Sequence, residues 1–174
     1  MIGASRNLHG LRDGTNMLVV FSLKPHNEQR DCRHDSSSLT SFIGRQMNDD
    51  SELTKFAMRY AEAWCTQDPE KVAAFYAKSG SISVNRGPPV SIAEVARGFM
   101  RDFPDMVVTF DKLEDTPAGT EFHWTFIGTN TGPGGTGNPV KISGYELWKI
   151  DKDGCISESE GHFDAAEYGR QLRG

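Results

Sequence analysis

The chain has 174 residues, 37% of them apolar and 25% charged, with a net charge of −5; this fits one soluble globular domain with a sizeable core and excludes a fibrous or wholly disordered chain. No apolar run is long enough to span a membrane, and Met17–Leu23 is short with no small-residue cleavage pattern after it, so no membrane or secretory element is expected. Residues 1–46 hold six of the 19 Lys/Arg but four of the 24 Asp/Glu, which leaves the rest acidic and argues against a nucleic-acid partner.

Residues 1–46 show no sustained helical or strand period and include HNEQRDCRHDSSSLTS, too polar to bury enough surface to order itself. They read as a poorly ordered extension before a domain at 47–174, or as sequence upstream of a natural start at Met47. Asp49 and Glu52 then have capping-box spacing, and Leu53, Phe56, Ala57, Tyr60, Ala61 and Trp64 recur at three and four residues as the apolar stripe of a helix. Asp68-Pro69 caps and opens a second helix that carries Val72, Phe75 and Tyr76 inward and stops at Ser79-Gly80. Ser81–Asn85 is a short strand and Arg86–Pro89 a loop. Ser91 and Glu94 have capping-box spacing before a third helix, lined by Ile92, Val95, Ala96, Phe99 and Met100 and ended by Pro104. Met106–Leu113 is a strand, and Asp115–Gly119 turns it into three consecutive antiparallel strands between Thr120 and Phe163. Asp164 and Glu167 have the spacing of a cap on a short tail helix.

The order of helices first and an antiparallel sheet afterwards predicts an α+β fold, a curved sheet closed on one side by helices into a cone with a cavity. Alternation assigns the faces. Phe122, Trp124, Phe126, Gly128 and Asn130 share the heavier, inward face of one strand; Val140, Ile142, Gly144, Glu146, Trp148 and Ile150 share that of the next. Glu146 is thus a single carboxylate in an apolar row. Symmetrical closure of the Thr131–Pro139 loop would set Trp124 opposite Glu146 and Phe122 opposite Trp148, and a tight Asp-Gly turn would pair Gly144 with Gly161.

The segments HWTFIGTNTG, GNPVKISGYELWKIDKDGCISESE and HFDAAEYGRQL, after the earlier AEAWCTQDPEKVAAFYA, resemble the SnoaL-like polyketide cyclases of the nuclear transport factor 2-like superfamily, over about residues 50–172. The resemblance implies a cone-shaped α+β fold with an enclosed pocket, a dimer or larger homo-oligomer, and cyclase, isomerase, dehydratase or purely binding functions. It also places the acid/base aspartate of cyclising members at Gly161, their pocket glutamine at Gly144 and histidine at Glu146, with Asn130 where a Gly-Thr-His segment has histidine. Glu146 is the carboxylate left to replace that machinery.

Desolvation would raise the pKa of a Glu146 facing the cavity into a range useful for proton transfer. The ketosteroid isomerases of the same superfamily work in this way, with a carboxylate base in an apolar site. His162, near the end of the last strand, is a second catalytic candidate, although it shares parity with Glu158 and Glu160 and so suits solvent or a subunit interface equally. Trp64, Tyr76, Phe99, Trp124, Phe126 and Trp148 are expected as pocket walls, and Asn130 as a hydrogen-bond donor to the ligand. The five histidines have no metal-ligand spacing, so no metal is expected. The loop Gly132–Gly137 joins strands and does not open a helix, which favours a flexible lid over a phosphate cradle. Three scattered cysteines suggest no disulfide framework and a reduced, cytoplasmic setting. The expected function is cofactor-free cyclisation, isomerisation or dehydration of an apolar, ring-containing small molecule; the alternative is a non-catalytic ligand-binding or dimerisation module.

Overall fold

A computed structural model describes residues 45–174, so the predicted extension at 1–46 lies outside the described residues except for its last two. These already belong to helix α1 (Arg45–Trp64), which runs through Asp49, so Asp49 is not its cap. Helix α2 (Pro69–Ala73) starts as expected: Asp68 accepts a hydrogen bond from the Glu70 backbone N–H, and Pro69 occupies the first turn, where no N–H is needed. It ends three residues before Tyr76, earlier than predicted. Tyr76 opens strand β1 (Tyr76–Val84) instead of closing a helix. The remaining elements are α3 (Ile92–Asp102), β2 (Val107–Thr116), β3 (Gly119–Thr129), β4 (Pro139–Ile150), β5 (Ile156–Phe163) and α4 (Ala165–Arg173). Ser91 is the N-cap residue of α3 but its hydroxyl makes no capping bond, whereas Asp164 caps α4 through the Ala166 and Glu167 N–H groups.

The five strands form one sheet in the order β1-β5-β4-β3-β2. The meander from β2 to β5 is antiparallel as expected. The sheet as a whole is mixed, because β1 adds to the far side of β5 in parallel. Side-chain parity holds along β3 and β4, but the register differs by two residues from symmetrical closure: Phe122 lies opposite Glu146 and Trp124 opposite Gly144. On the other side Glu146 lies opposite Gly161, since an irregularity between Lys149 and Ile150 shifts the β4–β5 pairing. Ile150, at the end of the Glu146 row, is exposed.

Helix α1 lies across the inner face of the sheet. Tyr60, fully buried at its centre, meets Trp64, Phe75, Phe122 and Trp148 edge-on, with centroids 5.2 to 6.2 Å apart, the arrangement in which ring quadrupoles attract. Phe122 and Trp148 stack at 4.7 Å beneath it. At the other end of the sheet, Phe99 and Phe103 of the α3 region pack on Phe126. The loop expected to be a lid is fastened down. The Asn130 side chain donates to the Asp102 carbonyl and accepts from the Thr136 N–H and hydroxyl. The Gly132 N–H also donates to Asp102, and Gly132 lies so close to the Arg101 carbonyl that a Cβ would sit 2.1 Å from that oxygen. Of the described cysteines, Cys65 is free. No helix among the described residues is long and apolar enough to cross a membrane.

Candidate functional site

Between α1, α3 and the inner face of the sheet lies a cavity of about 50 Å³ whose walls are almost wholly apolar. Trp64 and Phe99 come from the helices, Phe122, Trp124 and Phe126 from β3, and Ile142 and Glu146 from β4. Its size admits on the order of three or four waters, or one compact molecule. It is well below the roughly 300–1,000 Å³ that enclose drug-sized ligands. Glu146 is the one ionisable residue among the described residues of the lining.

Glu146 is 5% exposed, and no cation among the described residues offsets its charge. Four donors converge on it instead. Its Oε2 accepts from Ser159 Oγ at 2.9 Å, Trp148 Nε1 at 3.0 Å, Tyr60 Oη at 3.1 Å and Tyr76 Oη at 3.3 Å; Oε1 receives only the longer leg of the Tyr60 contact, at 3.3 Å. One oxygen is saturated and the other is nearly unclaimed. Desolvation raises the Glu146 pKa above the usual carboxylate range, and the four hydrogen bonds, which favour the charged form, only partly offset it. Burial and the neighbouring carboxylate push the Tyr60 and Tyr76 hydroxyls well above their ordinary values, so both keep their protons.

The donors differ in one chemical respect. Trp148 can only donate, whereas the three hydroxyls can rotate and accept. A proton arriving on Glu146 can therefore be accommodated by turning a hydroxyl, and the Tyr60 and Tyr76 oxygens, 3.3 Å apart, offer each other a partner when one turns away. The carboxyl can carry either charge state without leaving a buried group orphaned.

Two glycines shape the space. A Cβ at Gly144 would lie 2.2 Å from the His162 carbonyl oxygen and 2.7 Å from the Trp124 ring, so the indole can lie across β4 only because nothing projects there. At Gly161, opposite Glu146, a Cβ would make ordinary contacts of 3.7 Å or more, with Ile82 and Glu146. Gly161 is therefore not sterically required, and it leaves room beside the carboxyl.

Of the predicted wall residues, Trp64, Phe99, Trp124 and Phe126 line the cavity with Glu146. Tyr76 and Trp148 do not line it; they stand behind Glu146 as its donors. Asn130 is spent on the loop and on Asp102, away from the cavity. His162 is on the opposite face of the sheet, stacked on Tyr145 with ring centroids 4.8 Å apart, because it has the opposite strand parity to Gly161. The structure thus does not bring it together with Glu146. Sequence reasoning assigns Tyr60 to plain core and passes over Ser159, whose parity with Gly161 and Phe163 marks it as inward.

On the outer face, Glu114, Glu121 and His123 present ligand atoms within 4.8 Å of one another. Lys112 already neutralises Glu114 at 2.5 Å.

A model of the SnoaL-like polyketide cyclase family matches residues 54–172. No curated protein matches the chain. Among solved structures, a putative SnoaL-like polyketide cyclase from Jannaschia sp. CCS1 superposes with a TM-score of 0.61 at 14% identity, covering 78% of this chain and 97% of that one. AclR, a putative hydroxylase from Streptomyces galilaeus, gives 0.61 at 15% identity over 71% and 97%. A hypothetical protein of ketosteroid isomerase-like fold from Catenulispora acidiphila, in complex with trimethylamine, gives 0.60 at 14% identity over 68% and 92%. At these identities the likeness is one of fold.

Proposed function

The chain belongs to the SnoaL-like polyketide cyclase family, and from that premise and the geometry of its cavity we propose that it moves a proton on a small apolar molecule, with Glu146 as the acid/base. The observation that carries the reading is the asymmetry of the carboxyl, Oε2 held by four donors and Oε1 only by a longer contact with Tyr60, on a residue that lines an apolar cavity. A carboxyl so placed is fixed in direction and destabilised as an anion, which favours proton abstraction and return over simple charge pairing. Isomerisation, dehydration and ring closure can each begin with such a transfer. The cavity volume favours a compact substrate over a polycyclic one.

The test is exchange of the α-protons of cyclopentanone into deuterium oxide, followed by proton NMR. The wild type should accelerate exchange and Glu146→Gln should reduce the acceleration by about 10²-fold or more, the usual range for a positioned general base. Equal rates for the two proteins would dismiss Glu146 as the acid/base.

A second reading, a binding module without turnover, is favoured by the lack of any other ionisable residue among the described residues of the cavity lining. Cyclopentanone bound without accelerated exchange would select it. Self-association would use the sheet face turned away from the helices, where Val107 and Ile127 pair across β2 and β3 and are 47% and 46% exposed. A dimer mass in solution that Ile127→Lys reduces to the monomer would support that surface.

A further inference from the structure

Trp124 keeps its place in the cavity wall without a polar anchor. Its indole N–H is shut off from solvent and has no hydrogen-bond partner among the described residues, whereas the Trp148 N–H is spent on Glu146. A buried donor left unpaired costs free energy, so shape and not hydrogen bonding sets where this ring lies. The shape is that of the strand beneath it. Trp124 faces Gly144 across the β3–β4 ladder, and a Cβ on Gly144 would fall 2.7 and 3.0 Å from the indole atoms Cζ2 and Cη2. The same Cβ would fall 2.2 Å from the His162 carbonyl oxygen, so no side chain can stand at position 144 even with the ring removed. Only a neighbouring side chain or a ligand can fill the room above that glycine. The indole fills it, with the Phe163 ring beside it at 6.3 Å between centroids, and both residues line the cavity.

We propose that Trp124 is the specificity-determining residue of this cavity: its indole occupies the place of a second ring and limits the ligand class to compact apolar molecules of one small ring or an equivalent chain. This deepens the proposed preference for a compact substrate and rests on the cavity as the ligand site, not on proton transfer. Phe99, another wall residue, differs in kind. It lies among Trp64, Phe103, Phe126 and Tyr168, side chains that can turn into a space opened beside them. The floor under Trp124 is strand backbone, paired with β3 on one side and β5 on the other. It cannot close in, so loss of the indole leaves a lasting space of its own shape beside the existing cavity.

The probes are cyclopentanone, a single small ring, and naphthalene, two fused rings with no polar atom; binding is read by titration and by the shift in melting temperature. Wild-type protein should bind cyclopentanone and exclude naphthalene. Trp124→Ala should bind naphthalene about 10²-fold more tightly than the wild type does, the worth of burying the several extra carbons of a second ring. It should also prefer naphthalene to indole about tenfold, because indole brings back an unpaired buried N–H. Phe99→Ala, whose neighbours repack, should gain no naphthalene. If Trp124→Ala does not fold, Trp124→Leu takes its place with the same expected order. Naphthalene bound equally by the wild type and the Trp124 variant overturns the size limit, and naphthalene gained equally by Phe99→Ala overturns the assignment to Trp124. A preference for indole would reveal a polar partner for the N–H and overturn the placement of the ring by shape. Failure of both probes to bind any of these proteins overturns the cavity as the ligand site, whereas loss of the proton-exchange reading alone leaves the size limit intact.

Discussion

The two faces of the β3–β4–β5 sheet carry similar chemical groups and put them to opposite use. On the outer face, His123, Tyr145 and His162 form a row in direct register across three strands, flanked by Glu121 and Glu160 at 3.0 and 3.7 Å. Water reaches these groups, so each contact is screened and worth little. On the inner face a single carboxylate, two tyrosines, a serine and a tryptophan are sealed beneath α1. There the same kinds of contact decide both the fold and the charge of the group they surround. What separates the faces is burial. A carboxylate becomes a candidate acid/base here by losing water, with no cation among the described residues beside it.

The widest gap between the faces should appear when the carboxyl is removed. Glu146→Leu leaves four buried donors without their common acceptor and should cost about 3–5 kcal/mol in chemical denaturation. A loss below about 1 kcal/mol would mean that the donors re-pair among themselves and that the inner face is no more demanding than the outer.

Dependence on pH comes next. Because the folded-state pKa of Glu146 is raised, stability is greatest below the unfolded carboxylate value near 4.5 and declines as pH climbs to the raised folded value, beyond which it levels. The difference in unfolding free energy between wild type and Glu146→Gln, measured from pH 4 upward, should carry that decline. An opposite slope would put the carboxyl among groups held in their charged form, as the Arg170 and Gln171 contacts hold exposed Glu167 down to about 2.

Gly161→Ala sharpens the comparison within the inner face. A methyl fits there without clash and replaces a strand glycine, so stability should rise by up to about 0.5–1 kcal/mol. Binding of cyclopentanone should nevertheless fall, because the methyl occupies space beside Glu146; unchanged affinity, measured by titration, would move the ligand elsewhere. The smallest effect belongs to the outer face, where His162→Ala should change stability by no more than about 0.5 kcal/mol and leave α-proton exchange untouched.

The architecture is legible where local pattern reflects burial. The stripe on α1 and the alternation in β3 and β4 are enough to place Glu146, Trp124 and Phe126 on the inner face. Register is not legible, because a loop held by Asn130 and Gly132 against α3 does not close symmetrically, and that contact links residues about 30 apart in sequence. The start of β1 reads as helix through Tyr76 because its partner is β5, roughly 80 residues on, and nothing in Tyr76–Gly80 announces a parallel neighbour. Tyr60 fits a core stripe as well as any aromatic does. Only its packing shows that its hydroxyl ends on a carboxylate 86 positions away.

The pairing of Glu146 with Gly161 bears on how the family's chemistry is distributed. The resemblance puts an acidic side chain on the last strand, at the position Gly161 occupies, and this chain has hydrogen there. Directly opposed residues on neighbouring strands have Cβ atoms only about 5 Å apart, so an acid lost from one strand and supplied by the next can serve the same spot from across the ladder. On the proposed reading the acid has moved to the facing strand, and alignment by column alone would score it as missing although Glu146 lies directly opposite Gly161.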